Sequence, residues 1–310
     1  MQKNKNIRLL ISLTALSIAT ALLFLFGNPN RSDVDKTIFK VADQNAIDKV
    51  VFESAKGKVE LKFDGAKWKV NSKYEADGQL VTVFFASVLQ AEPKRKVTGA
   101  QQDSIKNRIT KEGIKVSLWE GEKMEKEYWV SGNDQKTETY FQLANDAPYF
   151  VTIPGYRVYV ASIFELTENE WRDKRVFNFN WQNFKSLKSH LPQQTNQDFT
   201  ISFANKLFGI EEVAVADTTK LSNYLESIFN LQADRILSQE EASTYDSLFA
   251  ASPLLQIEIQ DIAKKTFGLE IYPPQGKGKL VIAKMNDEPI LLQPQAAALV
   301  LRRRDYFVMK

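Results

Sequence analysis

The sequence predicts an α+β fold: an N-terminal transmembrane helix followed by two tandem related repeats of mainly antiparallel sheet with short helices. Three observations carry this reading. Residues 9–26 form a run without a single charge, apolar and polar residues alternate through most of the later segments, and residues 76–98 match residues 216–238 without a gap at an offset of 140. The expected organisation is a basic cytoplasmic segment over 1–8, a span over 9–26, a linker over 27–44, and repeats over 45–177 and 178–310.

The span comes first. Of 41 Lys+Arg and 38 Asp+Glu, the first thirty residues hold Lys3, Lys5 and Arg8 and no acid, leaving 38 bases against 38 acids in 31–310. The net charge of +3 is therefore wholly N-terminal. Leu9 to Phe26 reads LLISLTALSIATALLFLF, which as a helix covers about 27 Å of hydrocarbon. It ends in Leu22-Leu23-Phe24-Leu25-Phe26-Gly27, bulky where a signal peptidase wants small side chains, so an uncleaved signal-anchor fits better than a cleaved signal peptide. Bases ahead of the span place the N-terminus in the cytoplasm and residues 31–310 outside.

Each repeat then follows one order. The strands expected upstream of the main helix are Ile47 to Glu53, Val59 to Phe63 and Trp68 to Val70 in the first copy, and Phe184 to His190, Phe199 to Ala204 and Val213 to Ala216 in the second. Asp77 and Asp217 stand where N-caps belong, ahead of Leu80, Phe84, Val88 and of Leu221, Leu225, Phe229 at helical spacing. Short strands follow (Lys94 to Thr98; Arg235 to Leu237), then short helices, Gln101 to Glu112 stopping at Gly113, and one opening with the capping box Ser238-x-x-Glu241. Four alternating strands close the sheet in each copy: Ile114 to Trp119, Lys126 to Ser131, Thr139 to Leu143 and Tyr149 to Ile153, against Leu254 to Gln260, Thr266 to Tyr272, Lys279 to Ala283 and Ile290 to Gln293. Closing helices are expected over Gly155 to Leu166 and Pro294 to Arg303, each leading to a basic exit, Trp171-Arg172-Asp173-Lys174-Arg175 or Arg302-Arg303-Arg304-Asp305-Tyr306-Phe307.

The composition narrows the chemistry. No cysteine means no disulfide, thiol nucleophile, Fe–S cluster or thiolate zinc site, and one histidine cannot supply a multi-His metal set. The neutral body argues against nucleic acid as a partner. No GxxxxGK[ST], GxGxxG or GxSxG occurs, and Gly276-Lys277-Gly278-Lys279 after Pro273-Pro274 reads as a hairpin loop. His190 is expected on the polar side of a strand end; Glu240-Glu241 belong to a helix first turn, where carboxylates favour the dipole. Glu211-Glu212, adjacent in sequence, do not face each other. Tyr140, Phe141, Tyr149, Phe150, Tyr156 and Tyr159 read as core packing ahead of a stacking platform. The candidate interaction residues are Arg172, Lys174, Arg175, Arg302, Arg303 and Arg304, which match in position within their repeats. They are expected either to cap helices and pair with acids of the facing repeat, or to meet anionic headgroups or an acidic partner. No catalytic, cofactor-binding or metal-binding residue is expected.

Ile47-Asp48-Lys49-Val50-Val51-Phe52, Lys62-Phe63-Asp64-Gly65-Ala66-Lys67-Trp68-Lys69-Val70, the Ala76-Asp77 helix start and Trp171-Arg172-Asp173-Lys174-Arg175 together resemble the bacterial domain of unknown function 4340 family over about residues 36–305. The resemblance implies a neighbourhood of gliding-type ABC transporter components, the permease and its extracytoplasmic auxiliary protein, and it brings no catalytic residues. The expected function is a non-enzymatic accessory subunit, single-pass in the bacterial inner membrane with its bulk periplasmic, docked on such a permease or auxiliary protein. The alternative is an envelope ligand-binding module for glycan, peptide or lipid with a site between the repeats.

Overall fold

The computed structural model describes residues 11–21, 34–204, 207–274 and 280–309. Residues 11–21 form helix α1, exposed along its length. No helix among the described residues is long and apolar enough to cross a membrane, and residues 9, 10 and 22–26 of the expected span lie outside them. Gly276-Lys277-Gly278-Lys279 lies outside them as well.

Two antiparallel sheets make up the body. In the first half, β1 (Lys49–Ser54), β2 (Gly57–Phe63), β3 (Trp68–Val70) and β4 (Tyr74–Glu75) lead into α2 (Gly78–Gln90). Then come β5 (Glu92–Lys96), α3 (Ala100–Glu112), β6 (Ile114–Glu120), β7 (Lys123–Gly132), β8 (Thr139–Gln142), β9 (Tyr149–Thr152) and α4 (Glu168–Trp171). In the second half, β10 (Phe184–His190), β11 (Phe199–Ala204) and β12 (Leu207–Ile210) precede α5 (Thr218–Phe229). After it come β13 (Arg235–Ile236), α6 (Gln239–Ser243), α7 (Asp246–Phe249), β14 (Leu255–Asp261), β15 (Thr266–Ile271), β16 (Val281–Met285), β17 (Glu288–Leu292) and α8 (Pro294–Val300).

The strand orders are β4-β3-β2-β1-β6-β7-β8-β9-β5 and β12-β11-β10-β14-β15-β16-β17-β13. With β4 set aside the two sheets follow the same path, each main helix crossing from one sheet edge to the strand at the other edge. Asp77 accepts from the backbone N–H groups of Gln79 and Leu80 at 2.8 and 3.2 Å, and Asp217 from that of Lys220 at 3.1 Å, so both helices start on carboxylate caps. Alternation places Val50 and Phe52 of β1, and Leu187 of β10, under those helices. The matched pair Phe84 and Tyr224 fills the two cores: Phe84 meets Trp171 edge-on at 6.1 Å, and Tyr224 meets Phe307 edge-on at 5.3 Å. The opposite sheet faces carry smaller clusters, Ile105 and Ile109 of α3 with Tyr140 in one half, Leu248 of α7 with Tyr272 in the other.

Three expected elements differ. The helix expected over Gly155 to Leu166 is only a 3-10 turn, Val160–Ile163, because Gly155 takes φ +82° and breaks the chain direction after Pro154. The closing helix stops at Val300 rather than Arg303, Leu301 leaving helical geometry at ψ 76°. The strand expected over Val213 to Ala216 lies earlier, as β12, which hairpins onto β11 with Ile210 opposite Ile201; only Ala216 bridges, to Val308. The segment expected as linker is described from residue 34, and from there Val34, Ile38, Phe39 and Val41 pack on the first core.

Candidate functional site

The basic exit of the first half lies at the junction of the two halves. α4 begins on a reciprocal capping box between Thr167 and Glu170 and ends with Trp171 fully buried, stacked on Phe52 at 5.6 Å. The backbone beyond it is hydrogen-bonded first to one half and then to the other. Asp77 N–H donates to the Trp171 carbonyl (2.8 Å) and Asp173 N–H to that of Glu75 (2.9 Å). Beyond these, Ala233 N–H donates to the Lys174 carbonyl (2.8 Å) and Val176 N–H to that of Leu231 (3.0 Å). The segment is a short strap shared by both halves.

Arg172 is its anchor. The residue is 6% exposed, its Nη1 and Nη2 donate to Oε1 and Oε2 of Glu288 at 2.7 and 2.5 Å, and its guanidinium lies 3.5 Å from the centre of the Tyr74 ring. A planar fork can satisfy a carboxylate bidentately and stack on an aromatic at once, which a lysine could not. Nη1 also donates to Asn169 Oδ1 at 3.2 Å. Arg175 donates from Nε and Nη2 to Asp173 Oδ2 at 2.9 and 2.5 Å, and its Nη2 reaches Glu75 at 3.5 Å. The hydrogen bond to Asp173 raises the Arg175 guanidinium above its ordinary value. Lys67 Nζ (2.6 Å) and Asn178 Nδ2 (3.2 Å) complete the ring around Glu75. The Lys174 side chain is half-buried.

Arg302, Arg303 and Arg304 work inside the second half. The Arg302 guanidinium lies 4.7 Å from the Tyr306 ring centre, and Arg304 pairs with Glu212 and donates to the Asn196 carbonyl at 2.8 Å. Arg303 is exposed. The positional match expected between the two basic groups does not carry through to single residues. Asp217 N–H donates to Phe307 O and Met309 N–H to Val215 O, the same two bonds that Trp171 and Asp173 make in the first half. In that register Trp171 corresponds to Phe307 and Arg172 to Val308. Arg302 thus precedes the counterpart of Arg172 by six residues, and Arg302–Arg304 are not counterparts of Arg172–Arg175.

His190 stands half-exposed at the end of β10, as alternation requires, and its Nδ1 lies 2.6 Å from Asp198 Oδ2. Asp198 also accepts from Leu191 N–H at 2.8 Å, so the pair closes the β10–β11 turn. Ser189, the adjacent hydroxyl, points the other way into the core at 2% exposure. Glu240 and Glu241 occupy the first turn of α6, and Glu211 and Glu212 lie exposed after β12. Among the described residues no group of three or more His, Asp or Glu side chains converges to hold a metal ion. Tyr140, Phe141 and Tyr149 are buried within the first half, with Phe150 and Tyr159 packed beside them, while Tyr156 is exposed. Burial, together with its hydrogen bond to Glu138, pushes the Tyr140 phenol up to about 12.

Glu288, Tyr74 and Glu75 are the partners of the strap arginines that sequence reading missed. The positive φ of Asn286 and Asp287 marks a hairpin turn and makes Glu288 the first residue of a strand, but nothing local names a partner 116 residues away.

No curated protein and no solved structure matches the chain. The family model described as a domain of unknown function, DUF4340, matches residues 68–247, more than half of the chain and both sides of the strap. The chain belongs to the DUF4340 family.

Proposed function

We propose that this chain is a non-enzymatic, membrane-anchored extracytoplasmic accessory subunit of an ABC-type transporter or envelope assembly. Residues 9–26 span the bacterial cytoplasmic membrane, the N-terminus is cytoplasmic, and the two-sheet body docks on the permease or its auxiliary protein. The observation that carries this reading is the strap: Arg172 and Arg175, the side chains at the junction best suited to bind an outside anion, are committed to Glu288, Asp173 and Glu75 of the same chain. Such a junction holds a scaffold in one shape and leaves its outer surfaces for partners. Family membership and the charge-free N-terminal run support the setting.

Protease added to intact spheroplasts tests the topology. Degradation of the body to a membrane-protected N-terminal fragment is expected; a body that stays protected until the membrane is lysed would contradict it.

A further inference from the structure

We propose that α2 and the basic edge strand β5 of the first half form a surface that lies against anionic phospholipid headgroups beside the chain's own anchor. This rests on the anchored reading and adds to it which face of the body the membrane covers.

The internal comparison supplies the argument. α2 carries no charged residue in thirteen, whereas α5 at the matched position carries Lys220 and Glu226. Val81, Phe84 and Val88 of α2 are buried, yet Val83 and Leu89 stand 51% and 55% exposed on the outside. At the 140-residue offset Val83 becomes Asn223 and Ala86 becomes Glu226; Phe229, in place of Leu89, meets Trp181 edge-on at 5.7 Å yet is 53% exposed, so the two copies differ at 83 and 86 and not at 89. The outer face of α5 carries the charge of Glu226 and the amide of Asn223, whereas that of α2, where Gln79, Thr82 and Gln90 are also exposed, is uncharged and has Val83 in place of the amide.

The edge strand differs in the same sense. Lys94, Arg95 and Lys96 of β5 are all exposed, Lys96 being paired with Asp146 at 2.6 Å and Arg95 lying 5.4 Å from the centre of the Phe150 ring, which packs with the α3 cluster. Their counterparts are Asp234, Arg235 and Ile236, with Arg235 held by Glu241 at 2.7 Å. The apolar helix and the basic strand join through the single residue Ala91. An uncharged helix face flanked by bases is the arrangement that lies in an anionic headgroup layer.

The chain's entry point places the bilayer there. Val34 packs on the first core and Lys36 pairs with Glu92, the first residue of β5, at 3.0 Å. From the end of the apolar run at Phe26 only residues 27–33 intervene before Val34, a reach of at most about 29 Å. The α2–β5 corner is therefore held close to the anchor, and the second half has no such tether.

The chain lacks cysteine, so single cysteines can be placed and labelled without background. The full chain is reconstituted into vesicles of phosphatidylethanolamine and phosphatidylglycerol carrying a lipid-borne quencher. Val83→Cys and Asn223→Cys are compared with the same environment-sensitive fluorophore. At least twofold stronger quenching and a blue-shifted emission at position 83 are expected. Loss of most of that difference is expected in pure phosphatidylcholine, or after Lys94→Glu with Arg95→Glu. A chain that floats with the vesicles but shows equal quenching at 83 and 223 overturns the apposition and leaves the anchor standing. A chain that does not float overturns both. Quenching at 83 that is indifferent to lipid charge and to the double reversal overturns the headgroup contact.

Discussion

Replacing Glu288 with Ala strands the guanidinium of Arg172 in the junction. The Arg172 side chain is 7% exposed and that of Glu288 30%, at a nitrogen–oxygen distance of 2.5 Å. Opposite charges about 4 Å apart attract by about 4 kcal/mol at an effective dielectric near 20, most of which offsets their desolvation. Without Glu288 the cation keeps, among the described residues, Asn169 Oδ1 and the Tyr74 ring, so the expected loss is about 3 kcal/mol, the low end for breaking a buried pair. Arg172→Met keeps much of the stem over Tyr74 and leaves a carboxylate that water can reach, so a smaller loss of about 2 kcal/mol is expected. The double variant Arg172→Met with Glu288→Leu removes both charges and should be more stable than the sum of the single losses predicts by at least about 1 kcal/mol. Urea unfolding of the detergent-solubilised full chain, followed by circular dichroism at neutral pH, reads all three. Single variants within about 0.5 kcal/mol of the parent, or losses that simply add, would refute the assignment of Arg172–Glu288 as the fastening between the halves.

Other perturbations have defined outcomes. A Cβ at Gly132 would sit 1.8 Å from the Tyr159 hydroxyl oxygen, so Gly132→Ala should lower stability by about 1–3 kcal/mol; an unchanged thermal midpoint would contradict the packing of Tyr159 on β7. Asp77→Ala and Asp217→Ala should each cost about 1 kcal/mol by denaturant unfolding, and loss at only one site would undo the equivalence of the two caps. Asp146 and Asp134 are held below the ordinary carboxylate value by their hydrogen bonds to Lys96 and Arg108 respectively. Folded, they bind fewer protons than unfolded, so their contribution is complete above about pH 4 and fades as pH falls through the folded-state values. Stability that rises on acidification below about pH 4 would contradict this sign.

The strongly periodic parts of the chain are legible in the order of its residues. Asp77 and Asp217 cap the helices that spacing assigns to them, the Ser238–Glu241 box closes, and Phe184 to His190 and Phe199 to Ala204 are strands at those bounds. These signals are local: a cap, a period, a turn. The elements that differ depend on distant pairing or on a single backbone angle, as with Ala216, which bridges to Val308, and Gly155, whose φ stops a helix that apolar spacing allows. The strap is half legible. Its basic composition stands out, and pairing with acids of the facing repeat is among its expected roles, but Glu288 and Tyr74 could not be named, since a contact spanning 116 residues leaves no trace in spacing. The apparent match of Arg172–Arg175 with Arg302–Arg304 comes from composition after a helix, whereas the backbone bonds set the register at Trp171 and Phe307.

The most direct measurement is affinity capture of the full chain from native membranes solubilised in mild detergent, with every co-purifying protein identified and quantified. Enrichment of an ABC permease or its extracytoplasmic auxiliary protein in near-stoichiometric amount is the predicted result. Recovery of the chain alone, from membranes in which that permease is present and intact, would contradict the accessory-subunit role.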